Sequence, residues 1–145
     1  MNVLVFNCGS SSLTFQVFNV EEKKVEGVVL SGKAHRVGVT GSESSFIEFN
    51  QNGNQDKVET QIDTHRQAAA LALDHLKQKD ISIDCIGHRF VHGGDQFATS
   101  AIIDEMTLNQ LQGCLPLAPI HNPISMSVIQ ESRKVHPSLP QFVCF

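Results

Sequence analysis

The stretch Val3-Leu4-Val5-Phe6-Asn7-Cys8-Gly9-Ser10-Ser11-Ser12-Leu13-Thr14-Phe15-Gln16-Val17 decides the fold. A short apolar run breaks into a cluster of turn formers. Apolar Leu13, Phe15 and Val17 then alternate with polar Thr14 and Gln16. Period-two alternation beyond a Gly-Ser turn reads as strand, turn, strand, so a hairpin opens the chain. A third strand is expected around Val25 to Leu30. Residues 41 to 57 are rich in Gly, Ser, Asn and Gln, with an apolar island at Phe46, Ile47 and Phe49. They read as a peripheral hairpin or a mobile excursion.

Working outward, the period changes. Ala68, Leu71, Ala72 and Leu76 lie on one helical face, and Asp63 or Thr64 can cap a helix from about Thr64 to Lys77. Ile81, Ile83 and Ile86 predict a strand leading into Gly87-His88-Arg89-Phe90-Val91-His92-Gly93-Gly94. A second helix is expected from Asp104 or Thr107, with Thr107 and Gln110 at capping-box spacing and Gly113 as its stop. Leu115 to Asn122 is a Pro-studded loop. Asn122-Pro123 is a cap-plus-first-turn signal for a third helix to about Val135. Gln141 to Phe145 predicts an interior strand, buried on both faces. Strands first, then helices alternating with strands, indicate an α/β fold on a mixed sheet.

Composition sets bounds. The chain has 145 residues, 41% hydrophobic and 18% charged, which fits one domain with a real core and excludes intrinsic disorder. A net charge of -4 gives no basic field for nucleic acid or an anionic membrane, so any anion must be held by a local site. No apolar run approaches a membrane span. The start lacks the basic region and cleavage site of a signal peptide. Cys8, Cys85, Cys114 and Cys144 form no C-x-x-C pair and read as reduced, mostly buried thiols of a cytoplasmic protein.

Two motifs are set aside. Gly27-Val28-Val29-Leu30-Ser31-Gly32-Lys33-Ala34 resembles a phosphate-binding P-loop but lacks the hydroxyl at Ala34, and its interior is strand-like. His88 and His92 are four apart, but no Glu follows His88 and no third ligand has a recognisable spacing, so both read as structural. Three motifs stay open. Gly9-Ser10-Ser11-Ser12 is a plain hairpin turn or a concave run of N–H groups that cradles phosphate. Arg89, before two glycines, is a surface ion-pair partner or a planar fork for carboxylate or phosphate. His121 either helps cap a helix or donates to an anion at its N-terminus.

Together the motifs are more specific. Asn7-Cys8-Gly9-Ser10-Ser11-Ser12-Leu13, Gly87-His88-Arg89-Phe90-Val91-His92-Gly93-Gly94 and Leu117-Ala118-Pro119-Ile120-His121-Asn122-Pro123 resemble the acetate kinase family in order and spacing. The resemblance implies a ribonuclease-H-like mixed sheet flanked by helices, the N-terminal domain of an actin-like ATPase fold. Residues 1–145 would be that domain, incomplete at its C-terminus. It implies phosphoryl transfer between ATP and acetate, giving acetyl phosphate and ADP, with Mg²⁺ or Mn²⁺, and a homodimeric complete enzyme.

Roles follow by the same resemblance. Asn7 lies near the metal and phosphates, and Ser10, Ser12 and Thr14 lie on the nucleotide-phosphate side. Arg89 and His121 are the catalytic pair at the substrate, and Val91 and Ile120 wall the acyl methyl. Two departures stand out. Thr14 replaces the family's usual Lys. The chain also ends at Phe145, immediately before the family's catalytic Asp, so this chain alone is expected to be inactive. A propionate or butyrate kinase fragment and a non-catalytic truncated product are the alternatives. A ribonuclease-H-type nuclease is excluded, because its metal pair needs a carboxylate where Asn7 stands.

Overall fold

The computed structural model describes residues 1–97 and 99–145. The opening hairpin forms as read: β1 (Asn2–Cys8) pairs antiparallel with β2 (Ser12–Glu21), with Phe6 opposite Phe15 and Asn7 opposite Thr14. β3 (Lys24–His35) is longer than expected, because its continuous pairing with β2 carries it through Gly27–Ala34; the P-loop-like string is strand. The island at Phe46 belongs to a hairpin, β4 (Phe46–Gln51) and β5 (Asn54–Glu59). Its two-residue turn puts Asn52 and Gly53 at φ of 54° and 79°, the left-handed pair that such hairpins require.

Beyond the meander, α1 (His65–Gln78) starts at the Thr64 cap, whose side chain accepts from the Gln67 N–H at 3.1 Å. β6 (Cys85–Arg89) then lies parallel to β1. The expected strand at Ile81 and Ile83 is absent. The Ile81 N–H still bonds the Leu76 carbonyl of the departing helix, and both side chains pack half-buried against the core. After β7 (Ala101–Ile102) comes α2 (Glu105–Gly113), capped by Asp104 rather than Thr107; the Asp104 carboxylate accepts from the Thr107 N–H at 2.8 Å. A 3-10 turn at Leu115–Leu117 tightens the Pro loop before α3 (His121–Val135) and β8 (Gln141–Cys144).

The eight strands form one sheet in the order β5-β4-β3-β2-β1-β6-β8-β7. Pairing is parallel for β1–β6 and β6–β8 and antiparallel elsewhere, the mixed sheet that the sequence indicates. β8 is interior, between β6 and β7, but only alternate residues are fully buried; Phe142 and Cys144 are half-buried. The cysteines are likewise less buried than expected: Cys114 is buried, the other three half-buried, and all are free. α1 and α3 pack on one face of the sheet. Ala68, Ala69, Ala72, Leu73 and Leu76 of α1 and Val128 of α3 meet Leu4, Phe6, Leu13, Phe15, Val17 and Ile86. Small alanines let α1 approach the sheet closely. Arg66 Nε donates to Glu131 Oε2 at 2.9 Å and ties α1 to α3. Among the described residues no helix is long and apolar enough to cross a membrane.

His88 is part of this core. It is 2% exposed, stacks on Phe6, and shares a 2.8 Å hydrogen bond between its Nε2 and Gln141 Oε1. Burial pushes its pKa down from 6.5 to about 4, opposed in part by the Gln141 bond. The folded state therefore favours the neutral ring, whereas the unfolded chain takes up a proton near pH 6.5. The resulting stability is complete above that pH and is lost as pH falls toward 4. Between pH 6.5 and 4, urea denaturation should show the parent losing up to about 3 kcal/mol relative to His88→Gln. A constant difference between the two would contradict a neutral His88.

Candidate active site

The parallel strands β1, β6 and β8 all end on one edge of the sheet, where α/β folds build ligand sites. β1 runs into the Gly9–Ser12 turn and β6 into Phe90–Gly94. Side chains alternate across a strand. Phe6 and His88 are neighbours in register and face the helices; Asn7 and Arg89, one step on, project from the opposite, open face. Thr14, paired with Asn7, shares that face, and its Oγ1 donates to the Asn7 carbonyl at 3.1 Å. Arg89 is exposed and has no ion pair among the described residues.

The Ser turn is organised by its carbonyl groups. The Gly9 N–H donates to the Ser12 carbonyl at 2.9 Å, and the Val37 N–H donates to the Ser11 carbonyl at 2.9 Å. His65, the first residue of α1, places Nε2 2.7 Å from the Gly9 carbonyl. The N–H groups of Ser10 and Ser11 have no backbone acceptor among the described residues. Backbone N–H groups left free in a tight turn are of the kind that can receive an anion. A Cβ at Gly9 would sit 2.5 Å from Ser12 Oγ, so a larger residue there would turn the Ser12 hydroxyl out of its place. Burial pushes the thiol of Cys8, just before the turn, up to about 12 despite a hydrogen bond with Ser125, which disfavours the thiolate.

The third motif joins the same edge through Asn122. That residue does not cap α3. The helix begins at His121, its cap residue Ile120 makes no side-chain bond, and His121 does not cap it either. Asn122 is instead fully buried. Its Nδ2 donates to the His92 carbonyl at 3.0 Å and to the Cys114 carbonyl at 2.8 Å, while its Oδ1 accepts from the His92 N–H at 3.3 Å. This clamp holds the loop after β6 against the start of α3. Val91 and Ile120 are 39% and 65% exposed, apolar side chains left open to solvent at the site edge. His121 is half-buried, and its Nδ1 is buried without a partner among the described residues.

His65 was not found from the sequence, where it is only the start of a helix. It is buried, and desolvation lowers its pKa, opposed by the Gly9 and Ser12 carbonyls and helped by the nearby His121. A metal is a different matter. Asn7 is a lone amide, and among the described residues no three His, Cys, Asp or Glu side chains cluster to hold an ion. Divalent cations of this kind take carboxylates together with phosphate oxygens. The donor set on this chain does not fit a resident metal by itself.

A mixed α/β sheet with an anion-receptive turn and an unpaired arginine at the carboxyl ends of its parallel strands defines the class of protein. A description of the acetokinase family matches residues 2–145, and the chain belongs to that family. An acetate kinase from Natranaerobius thermophilus is 39% identical over the whole chain, and one from Caldanaerobacter subterraneus is 36% identical. The chain spans 37% of the length of each. Among solved structures, an acetate kinase from Entamoeba histolytica superposes over 99% of the chain and 34% of its own, with a TM-score of 0.86 and 49% identity. A propionate kinase from Francisella tularensis gives the same TM-score at 28% identity, over 99% of this chain and 36% of its own. The actin-like ATPase fold expected from the motifs is thereby established, as the amino-terminal part of such a chain.

Removing the clamp should be costly. Asn122→Ala strands the buried Cys114 carbonyl, worth about 1–3 kcal/mol when left unpaired, and removes two part-buried bonds to His92. Urea denaturation should show a loss of roughly 2–4 kcal/mol. A loss near zero would mean that the loop does not depend on Asn122.

Proposed function

We propose that this chain forms the acyl-binding and part of the phosphate-binding side of an acetate kinase, which moves a phosphoryl group between a donor, ATP in this reading, and acetate. The observation that carries the reading is the free Arg89 guanidinium on the same sheet edge as the Ser10 and Ser11 N–H groups. Phosphoryl transfer to a carboxylate oxygen is chiefly positioning and charge neutralisation. Arg89 offers a planar fork that holds acetate and then the acetyl phosphate formed from it. The turn at Ser10 and Ser12 receives phosphate oxygens, with Asn7 and Thr14 beside it. His121 donates to the transferring group, and Val91 and Ile120 wall the methyl.

The complete protein, in this reading, is a cytoplasmic homodimer. Mg²⁺ or Mn²⁺ would need donors beyond Asn7, so no step is assigned to it. Nucleic acid and membranes are not partners; the chain carries a net charge of -4. Thr14 leaves the donor side with one cation fewer than the resemblance implies, which lowers the expected donor affinity.

The test is a fusion of this chain to the remaining portion of the Natranaerobius thermophilus acetate kinase, assayed for acetyl phosphate as the hydroxamate. Arg89→Ala should lower catalytic efficiency by ~100-fold or more, and Arg89→Lys should recover only part of it. Val91→Ala should shift the acetate-to-propionate ratio toward propionate by up to about tenfold, one methylene being worth about 1–3 kcal/mol. Near-parent efficiency in Arg89→Ala would defeat the assigned role, and an unmoved ratio would remove Val91 from the acyl wall.

A further inference from the structure

We propose that His65 is the positioning residue of the anion-receptive turn: its Nε2–H holds the Gly9 carbonyl inward and thereby keeps the Ser10 N–H aimed at a bound phosphate. The inference rests on the reading of that turn as a phosphate cradle. The geometry is local and complete. Nε2 lies 2.7 Å from the Gly9 oxygen, and the Ser12 carbonyl also faces the ring. Gly9 in turn closes the turn through its own N–H on Ser12. A peptide unit is rigid, so fixing the Gly9 carbonyl fixes the direction of the Ser10 N–H that belongs to the same plane. The Val37 N–H holds the Ser11 carbonyl from the other side, which sets the next peptide plane, that of the Ser12 N–H.

The position of His65 makes this a stiff support. It opens α1 directly after the Thr64 cap, so its backbone is set by the helix start. The helix is anchored by its alanine face on the sheet and by the Arg66–Glu131 pair to α3. The ring is 6% exposed, so water does not replace its bond to Gly9 at little cost. A neutral imidazole has one N–H, and a carbonyl partner requires that it sit on Nε2. His65 does not reach the site itself. It acts through the main chain, and no feature of the Gly-Ser-Ser-Ser string calls for a histidine so far along the sequence.

The experiment is a titration of the ¹⁵N-labelled 145-residue chain with inorganic pyrophosphate, followed at the Ser10 and Ser11 amides. Three variants are compared with the parent. Gln carries its amide nitrogen about as far from the backbone as Nε2 of histidine; Asn is one methylene shorter; Leu has no donor. His65→Gln should bind within about threefold of the parent, and His65→Asn and His65→Leu should bind ~10-fold more weakly, the order of one hydrogen bond. Amides away from the turn serve as the control for folding. A long-range proton–nitrogen spectrum of the parent should show neutral His65 with its proton on Nε2 near pH 7, and a proton on Nδ1 would overturn the proposal even if every variant unfolds. A parent that fails to bind pyrophosphate defeats the phosphate reading and this inference with it. A parent that binds while Asn and Leu match it, or while Gln does no better than Asn, defeats the role of His65 alone.

Discussion

Parallel pairing of β1 with β6 and of β6 with β8 is the constraint on which the rest depends. Parallel strands need long crossovers, and here each crossover carries a helix that returns to the same face of the sheet. All three strands then finish together. Three segments far apart in sequence, after Cys8, after Arg89 and before His121, arrive at one edge. A slip of the β1–β6 register by one residue would turn Asn7 or Arg89 toward the helices and Phe6 or His88 toward solvent. The buried stack of Phe6 on His88 opposes that slip.

In the proposed function, an anion at this edge would meet no strongly charged protein around it. The chain is acidic overall, and the proposed site would rely on oriented peptide dipoles and one guanidinium. Orientation is achieved by occupying carbonyl groups. The carbonyls of Gly9, Ser11 and Ser12 each accept a hydrogen bond, while the Ser10 and Ser11 N–H groups have no backbone acceptor among the described residues. Such dipoles are fixed before any ligand arrives, and that lowers the reorganisation needed on binding. The same logic recurs at Asn122, where one buried amide satisfies two carbonyls and one N–H and joins two loops.

The two clusters of buried side chains divide the labour. The larger, under α1 and α3, fixes the sheet and the Ser turn. The smaller, around Phe90, Leu111, Cys114, Met126, Ile129 and Val143, supports the loop that carries Val91 and the start of α3. Phe90 is fully buried while its neighbours Arg89 and Val91 are exposed, so one anchored ring sets the path of the residues on either side.

Period and turn chemistry determined much of this from the residues alone. The opening hairpin, α1 with its Thr64 cap, and the interior place of the last strand were legible because each rests on local patterns. The motifs around Ser10, Arg89 and His121 were legible as types of chemistry. Their convergence was available only through the family resemblance and not from the residues' own pattern, since it depends on parallel pairing between distant segments. Ile81 and Ile83 misled because apolar residues leaving a helix look like those entering a strand. Asn122 misled because a capping residue and a buried clamp have the same composition, and only the neighbouring loop decides which one forms. His65 was invisible for the same reason: its partner is a main-chain carbonyl, which leaves no mark on the side chains of the turn it holds.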